Sequence, residues 1–311
     1  MSDKTLRSSH VATAVAPIGH GFVKLGSALE SACERAGLTQ TSHVRLLGAE
    51  ERWAAVEIAV ALGDLDIRRA REILRDAFVD IADIALLPAR NRKKRLLVSD
   101  MDSTIIQQEC LDELAAFAGL KDEIAAITER AMAGALDFES ALTERVGKLK
   151  GLPLEALAQC YAQRITLMPG AKTLTATMTQ NGGYCLLVSG GFTYFTSRVA
   201  EAVGFQSHRG NALIDDGRQL TGEVARPILG REAKLDALDD AAFANGLNRL
   251  DVLAMGDGAN DLAMIEAAGT GLAVHAKPIV SGAADAAMEV TDLTAALYFQ
   301  GYTDSEIVWQ S

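Results

Sequence analysis

The chain has 311 residues, of which 49% are hydrophobic and 23% are charged, and this composition is typical of a globular protein with two domains or one large domain and an appendage. Its formal net charge of −11 argues against binding to a nucleic-acid backbone or to an anionic membrane surface, because both need clustered cationic side chains. A small anionic substrate is still compatible with this charge, since a few cations or a metal ion can reverse the local field.

The cysteines are Cys33, Cys110, Cys160 and Cys185, and no two of them have the CxxC spacing of a zinc or redox motif. They are therefore expected to be reduced thiols. The sequence shows no basic and apolar pattern of a signal peptide, and no stretch approaches the roughly 20 apolar residues of a membrane helix. These features predict a cytoplasmic protein.

The first part of the chain alternates between strand and helix patterns. Asp64 and Asp66 suit a helix N-terminus, where a carboxylate interacts favourably with the helix dipole. The order βαββαβ is that of a small ferredoxin-like domain, which we assign to residues 1–90. Its strands are predicted at residues 10–16, 44–47, 53–60 and 81–87, and its helices at 22–36 and from 64 to about 77.

A strongly basic run, PARNRKKR at residues 88–95, separates this unit from the rest of the chain. One interpretation is a nucleic-acid patch, and the other is a solvated linker. The linker is favoured because no aromatic side chains are interleaved with the cations and the whole chain is acidic.

Residues 91–311 have the pattern of a larger α/β domain with a Rossmann-like parallel sheet. The first three of its strands end at polar or glycine-rich turns. Ligands of open α/β sheets bind at the carboxyl ends of strands, so these turns should meet in space. The strands are predicted at residues 95–99, 183–188, 250–255 and 271–274.

The segment between the first two of these strands is far longer than an ordinary crossover. It contains four stretches with apolar residues at helical spacing, which predict a helical cap over the active end of the sheet, at about residues 109–165. The helices are predicted at residues 111–118, 122–133, 138–149 and 154–164.

The run DMDST at residues 100–104 places two carboxylates, Asp100 and Asp102, directly after an apolar strand. Two acids held together invite a cation, because otherwise their repulsion would force one of them to take a proton. Oxygen ligands alone suit magnesium. The alternative is a helix cap after a strand, and the motif alone does not decide between the two.

A second acidic turn, GDGAND at residues 256–261, follows another apolar strand. Asp257 could supply a further metal oxygen, with Asn260 and Asp261 around it, and the glycines permit close approach of the backbone. The alternative is a plain turn built from Asp-Gly and Asn-Asp. That alternative does not explain why a second acidic turn follows a second buried strand.

Two weaker motifs complete the set. Ser189, Gly190 and Gly191 follow the predicted strand at residues 183–188 and offer a hydroxyl and backbone N–H groups to a phosphoryl oxygen, although such runs are common in loops. Lys234 lies at the start of a predicted helix, where a lysine is usually solvated.

In this order, each at a strand end or helix start, the four motifs resemble those of the haloacid dehalogenase superfamily of phosphatases. The residues from DMDST to Glu109, together with GDGAND, closely resemble the phosphoserine phosphatases of that superfamily. The resemblance covers about residues 93–298 without a break in its motifs. It implies a haloacid dehalogenase-type α/β fold with the helical cap inserted after the first strand.

The resemblance also implies a mechanism. Asp100 would attack phosphorus and form an aspartyl phosphate, and Asp102 would protonate the leaving oxygen and then activate the attacking water. Mg²⁺ would be held by Asp100, Asp257 and the backbone carbonyl of Asp102, with Asp261 in an outer position.

The remaining motif residues are implied to bind substrate. Ser189, the Gly190 N–H and Lys234 would stabilise the oxygens of the transferring group, and Asn260 would lie beside them.

The substrate must be inferred from the cap and its neighbours. The resemblance assigns Glu109 and Arg145 to the amine and the carboxylate of an amino acid, and Met132 and Phe138 to the exclusion of water. The implied reaction is hydrolysis of O-phospho-L-serine to L-serine and phosphate, the last step of serine biosynthesis. From the residues alone, Glu109 could be a helix-start acid, and Arg145 could pair with Glu144 or a neighbouring acid on the surface.

The unit at residues 1–90 resembles the ACT-like domains of longer phosphoserine phosphatases, which bind amino acids or dimerise. No local motif decides between a regulatory role and a homodimer through this unit. The rival functions are a phosphatase or phosphotransferase for another small phosphomonoester and a non-catalytic amino-acid sensor. A non-catalytic sensor would lack the nucleophile or a metal ligand of the family motifs, whereas this sequence has all of these residues.

Overall fold

The structure is a computed structural model and describes residues 9–49, 52–132 and 135–310. Its strands are β1 (His10–Pro17), β2 (Thr39–Gln40), β3 (Arg45–Gly48), β4 (Trp53–Ala61), β5 (Asp83–Pro88), β6 (Leu96–Ser99), β7 (Tyr184–Phe192), β8 (Ser207–Asn211), β9 (Leu213–Asp215), β10 (Leu220–Val224), β11 (Val252–Gly256), β12 (Thr270–Val274) and β13 (Ala286–Met288). Its α-helices are α1 (Phe22–Arg35), α2 (Ile67–Ala77), α3 (Cys110–Phe117), α4 (Lys121–Met132), α5 (Phe138–Lys148), α6 (Leu154–Arg164), α7 (Ala171–Gln180), α8 (Thr193–Val203), α9 (Arg231–Ala244), α10 (Leu262–Ala267), α11 (Pro278–Ala283) and α12 (Ala295–Phe299).

A single 11-stranded sheet runs through the molecule in the order β2-β4-β1-β5-β13-β12-β11-β6-β7-β8, with β3 paired to β4. From β13 to β8 every strand pair is parallel. Strands β6 and β11 are buried along their whole length, as expected for parallel strands with helices on both faces. This parallel part of the sheet, with its helices, confirms the predicted α/β fold class.

The N-terminal strands β1, β4 and β5 pair antiparallel and are covered on both faces. In β4, Val56 and Ile58 belong to the core beneath α1 and α2, whereas Ala55 belongs to the larger core that includes Leu297 and Phe299 near the C-terminus. Alternate side chains of a strand point to opposite faces, so a strand covered on both sides is mainly apolar, and the buried Glu57 of β4 is paired with Arg92. The elements follow the predicted βαββαβ order, with the two-residue strand β2 in addition.

The N-terminal and C-terminal parts are joined through β5 and β13, which pair antiparallel at Ala85 and Ala286. Beside this pair, Asp83 is only 4% exposed, and its carboxylate accepts hydrogen bonds from the backbone N–H groups of Glu289, Val290 and Thr291. A buried carboxylate is stable only when it is paired or well hydrogen-bonded. The two parts therefore share one sheet and one buried polar junction.

The basic run before β6 is not a solvated linker along its whole length. The Arg92 side chain is 10% exposed, pairs with Glu57 at 2.9 Å and donates to the carbonyl of Phe299. Lys94 is buried, and its Nζ donates to the carbonyl of Leu250 at 2.7 Å. The linker prediction was wrong for these two cations, because they bind carboxylate and carbonyl oxygens at the junction of the two parts.

The cap is formed by helices α3 to α6, close to the predicted ranges, except that residue 133 lies outside the described part of the chain. A hairpin of β9 and β10 that the sequence did not predict adds to it. Gly151 donates to the carbonyl of Leu220, and Leu154 donates to that of Arg218. Among the described residues, no helix combines the length and apolar character that crossing a membrane requires.

Candidate active site

The sheet order brings the chemically interesting residues to one edge. Strand β6 lies between β11 and β7; Asp100 follows β6 and Asp257 follows β11. Together with Ser189, these residues line one cavity of about 510 Å³. The predicted meeting of these segments is therefore present in the structure.

One local prediction was wrong at this edge. Ser189 and Gly190 do not lie in a turn after their strand, because β7 continues to Phe192. The pairing of β7 with β8 is irregular between Val188 and Phe192, so the regular ladder is interrupted beside the cavity. Apolar pattern alone ended the strand too early, since serine and glycine are typical turn residues.

Asp100 lies at the floor of the cavity and is 5% exposed. Its Oδ1 accepts hydrogen bonds from the backbone N–H of Met101 at 2.8 Å and from Nζ of Lys234 at 2.7 Å. Burial raises the pKa of Asp100, Lys234 lowers it, and the charges of Asp261 and Asp102 raise it again, so the net pKa lies above its usual range. Cations are therefore needed at this position to keep the carboxylate ionised.

Lys234 is not solvated, in contrast to the usual behaviour of a lysine at a helix start. It is 3% exposed, and its Nζ lies 2.6 Å from Oδ1 of Asp261 as well as 2.7 Å from Asp100. Burial lowers the pKa of Lys234, but the two carboxylates raise it by more, and the net pKa lies above its ordinary value. The amine is thus a fixed cation next to the candidate nucleophile.

Asp261 fits beneath the cavity because Gly256 leaves room for its side chain. Its Oδ2 accepts the N–H of Gly258 at 3.0 Å. A Cβ at Gly256 would lie 2.4 Å from Cγ of Asp261, a distance at which atoms overlap. Glycine at this position is therefore required for the close approach of Asp261 to the strand end.

Asp102 is held by two donors. Its Oδ1 accepts the N–H of Cys110 at the start of α3 at 2.8 Å, and its Oδ2 accepts the hydroxyl of Ser189 at 2.9 Å. Ser103 has a positive φ of 55°, which is uncommon for a residue other than glycine. This turn leads the chain from Asp100 and Asp102 to cap helix α3. Strained backbone of this kind is often found at functional sites.

The acids of the site can hold a divalent metal ion. Carboxylate oxygens of Asp100, Asp257 and Asp261 lie within 4.8 Å of one another. The hydroxyl of Thr104 donates to Oδ1 of Asp257 at 3.4 Å, and burial, followed by the charge of Asp261, raises the pKa of Asp257. This set of closely spaced oxygen donors fits a hard divalent cation, which would offset their mutual repulsion.

Glu109 and Arg145 line the same cavity on its cap side. Glu109 lies at the helix start, as the simpler interpretation predicted, but it makes no side-chain cap bond there. Its Oε1 instead accepts the hydroxyl of Ser103 at 2.8 Å. Glu144 forms its ion pair with Arg130 at 2.7 Å, so the predicted surface pair of Arg145 with Glu144 is not formed.

Glu109 is accessible to solvent through the cavity, yet protein surrounds its carboxylate on several sides. This burial raises the pKa of Glu109 to about 7, with a further contribution from the charge of Asp102. For Arg145, burial lowers the pKa, while the charges of Asp112 and Glu109 oppose this change. An arginine keeps its charge under such shifts, so this end of the cavity presents one cation and a carboxylate that titrates near neutral pH.

The other predicted substrate residues have different positions. Phe138 is 43% exposed at the rim, and a Cβ at Gly190 would lie 3.3 Å from its ring. Asn260 lines the cavity next to Asp257. The side chain of Met132 lies outside the described part of the structure.

Asp112, Thr128 and Lys277 also line this cavity, and the sequence did not single them out. Thr128 and Asp112 lie on cap helices whose packing the sequence does not specify. Lys277 follows β12, the fourth predicted strand of the parallel sheet. The rule that strand ends meet at the ligand site would have found it if it had been applied to that strand as well.

Comparisons with known proteins agree with this geometry. The family model for haloacid dehalogenase-like hydrolases matches residues 97–266. A phosphoserine phosphatase of Archaeoglobus fulgidus is 41% identical over 242 residues, which cover 77% of this chain and 70% of that protein.

Solved structures show the same similarity. The unliganded crystal structure of a probable phosphoserine phosphatase from Vibrio cholerae matches with a TM-score of 0.72 and 28% identity, and it covers 96% of this chain and 87% of that one. A phosphoserine phosphatase described as a phospho-aspartyl intermediate analogue matches with a TM-score of 0.61 and 39% identity, covering 66% of this chain and 98% of that one.

Proposed function

The chain belongs to the haloacid dehalogenase-like hydrolase family, and we propose that it hydrolyses O-phospho-L-serine to L-serine and phosphate. The observation that carries the proposal is the composition of one cavity. Asp100 and Asp257 lie at its floor, and Glu109 and Arg145 lie on its cap side. We infer that this one enclosure combines a phosphoryl-transfer site with partners for an amine and a carboxylate.

In the first step, a carboxylate oxygen of Asp100 attacks phosphorus, and the bond from phosphorus to the serine oxygen breaks. Asp102 donates a proton to that oxygen, so serine leaves as a neutral alcohol. The product on the enzyme is an aspartyl phosphate, which replaces one difficult displacement by two easier ones. The relative with a phospho-aspartyl intermediate analogue supports this route.

The negative charge of the transferring group is balanced by groups that are already in place. Lys234 is held as a cation 2.7 Å from Asp100. The N–H of Gly190 lies on β7, next to β6, and the hydroxyl of Ser189 on the same strand would turn from Asp102 to the transferring group. A fixed cation such as Lys234 needs no reorganisation when charge develops in the transition state.

We propose Mg²⁺ as the metal, held by Asp100, Asp257 and the backbone carbonyl of Asp102. Asp261 fits an outer role because Lys234 binds its Oδ1 and Gly258 binds its Oδ2. When bound, the ion supplies positive charge that offsets the approach of a phosphate to a carboxylate. Its oxygen donors fit magnesium.

In the second step, Asp102 takes a proton from water, and the water oxygen attacks phosphorus. The bond between phosphorus and Asp100 then breaks, which releases phosphate and regenerates the carboxylate. The hydrogen bond from the Cys110 N–H keeps Asp102 beside the reacting atoms in both steps. Phe138 at the rim would shield the intermediate from bulk water.

The amino-acid end determines which phosphomonoester is used. Arg145 would bind the carboxylate in a bidentate manner, and ionised Glu109 would accept hydrogen bonds from the ammonium group. We propose that Asn260 completes the enclosure at the phosphoryl end.

The test is phosphate release from phosphoserine with magnesium, compared with phosphothreonine, a sugar phosphate and 4-nitrophenyl phosphate. We expect phosphoserine to have the highest kcat/KM. A second alcohol in the assay would show transfer as a new phosphomonoester. Equal kcat/KM for all four substrates would refute amino-acid recognition.

We further propose that residues 1–90 form an ACT-like unit that dimerises or binds serine, in a cytoplasmic protein. The complete chain is the appropriate sample, because the unit shares the Asp83 junction and a core with the rest of the molecule. Light scattering of the purified chain would detect a dimer. A thermal shift of the Asp100→Asn variant with millimolar serine would detect binding, and a monomer without any shift would exclude both roles.

A further inference from the structure

The segment after β12 is fixed by backbone hydrogen bonds beside the active-site cavity. His275 has a positive φ of 43°, and its N–H donates to the carbonyl of Met288 on β13 at 2.9 Å. The N–H of Lys277 donates to the carbonyl of Asp257 at 3.3 Å. Pro278 then begins α11. The loop is therefore held on one side by β13 and on the other by the turn at residues 256–261, which contains Asp257.

This attachment places Lys277 at the phosphoryl end of the cavity. Lys277 is exposed and lines the cavity with Asp257 and Gly258, whose turn its backbone contacts. Arg145 lines the same cavity but belongs to cap helix α5. The two cations thus approach the cavity from different elements, one next to the metal-binding acids and one from the cap.

The charge balance of the cavity makes this position significant. Five acids line it, and the cations among the described lining residues are Arg145 and Lys277. The acids are Asp100, Asp102, Glu109, Asp112 and Asp257. The whole chain carries a formal charge of −11. These acids repel an approaching phosphate dianion, and a cation at the mouth reduces this repulsion in addition to Lys234 and the proposed metal ion.

Lys234 cannot fill this role, because it is buried and held between Asp100 and Asp261. By contrast, Lys277 is exposed and lines the cavity, and no ion pair within 4.0 Å involves it in the described part of the chain.

We propose that Lys277 is a substrate-binding residue that attracts the phosphoryl group into the cavity and contacts its oxygens from the solvent side, opposite Lys234. The proposal rests on the proposed phosphatase function and concerns its phosphoryl end. Lys277 should therefore act on any phosphomonoester, whereas Arg145 acts only on those with a carboxylate.

The test compares Lys277→Gln with Lys277→Arg and with Lys24→Gln. Lys24 is an exposed lysine on α1 and does not line the cavity, so its substitution makes the same change in net charge. For each variant, kcat/KM is measured with phosphoserine and with 4-nitrophenyl phosphate between low and moderate salt, and inorganic phosphate is titrated as a product inhibitor.

We expect Lys277→Gln to lower kcat/KM about tenfold for both substrates, to raise the Ki of phosphate and to weaken the salt dependence of kcat/KM, because steering by charge is screened by salt. Lys277→Arg should retain most of the activity, and Lys24→Gln should match the unmodified chain.

Two results would overturn the proposal. One is a Lys277→Gln variant that behaves like Lys24→Gln with both substrates. The other is a loss confined to phosphoserine, which would place Lys277 at the amino-acid end. If the unmodified chain hydrolyses 4-nitrophenyl phosphate but not phosphoserine, the proposed substrate is wrong, and the role of Lys277 is still decided with the aryl phosphate.

Discussion

The pKa of Glu109 gives a prediction about how substrate selectivity depends on pH. Burial and the charge of Asp102 raise this pKa to about 7. Protonated Glu109 is neutral below that pH and ionised above it, so only at higher pH does it offer a full negative charge to the ammonium group of phosphoserine. Selectivity for phosphoserine should therefore rise with pH.

The magnitude follows from the ionised fraction. For a pKa of about 7, that fraction increases from about one tenth at pH 6 to about nine tenths at pH 8. If only the ionised form recognises the amine, the ratio of kcat/KM for phosphoserine to kcat/KM for 4-nitrophenyl phosphate rises about tenfold over that interval. A bound divalent ion would lower the midpoint without changing the direction, so the ratio should be measured from pH 5 to 8.5.

Taking the ratio of two substrates removes most of the effects that both share, such as titration of the phosphate and of the catalytic acids. Glu109→Gln should make the ratio independent of pH. Glu155→Gln, at an exposed position on cap helix α6, should keep the rise. A ratio that is flat in the unmodified chain, or a rise that persists in Glu109→Gln, would refute this role of Glu109.

Two further predictions concern the cap and the junction between the two parts. Arg145→Ala should raise KM for phosphoserine about tenfold or more, the effect of losing a charged hydrogen-bonded partner, and should change KM for 4-nitrophenyl phosphate little; equal increases would contradict a contact with the substrate carboxylate. Asp83→Ala leaves the N–H groups of Glu289 and Thr291 without their buried acceptor, and it should lower the free energy of unfolding by about 3 kcal/mol in urea titrations. The exposed control Asp76→Ala should change stability by less than about 0.5 kcal/mol, and an equally small effect at Asp83 would show that the junction contributes little.

Much of this architecture could be predicted from local pattern. Strand β6 is a short apolar run followed by two acids, and helix α9 places Lys234 in its first turn. Periodicity and strand-end chemistry are local properties, so they locate these elements without knowledge of the tertiary structure. The same reasoning assembled the acids at one edge of the sheet, because consecutive parallel strands have a common direction.

The features that the sequence did not predict depend on contacts between distant parts of the chain. Arg92 is buried because the carboxylate of Glu57 and the backbone carbonyl of Phe299 lie beside it, and neither residue is near Arg92 in sequence. The short strand β13 forms the bridge between the two parts through one residue pair, at Ala85. Strand β13 consists of two alanines and one methionine, a sequence that does not predict a strand. Only the folded sheet therefore shows that β13 joins the two parts.

The most direct test of the account is magnesium-dependent phosphate release from phosphoserine by the unmodified chain and by Asp100→Asn, together with rapid acid quenching to trap a phosphorylated enzyme. The account predicts turnover and a phosphorylated Asp100 in the unmodified chain, and neither in the variant. Turnover of Asp100→Asn at a rate comparable with that of the unmodified chain, or a phosphoryl group on another residue, would contradict it.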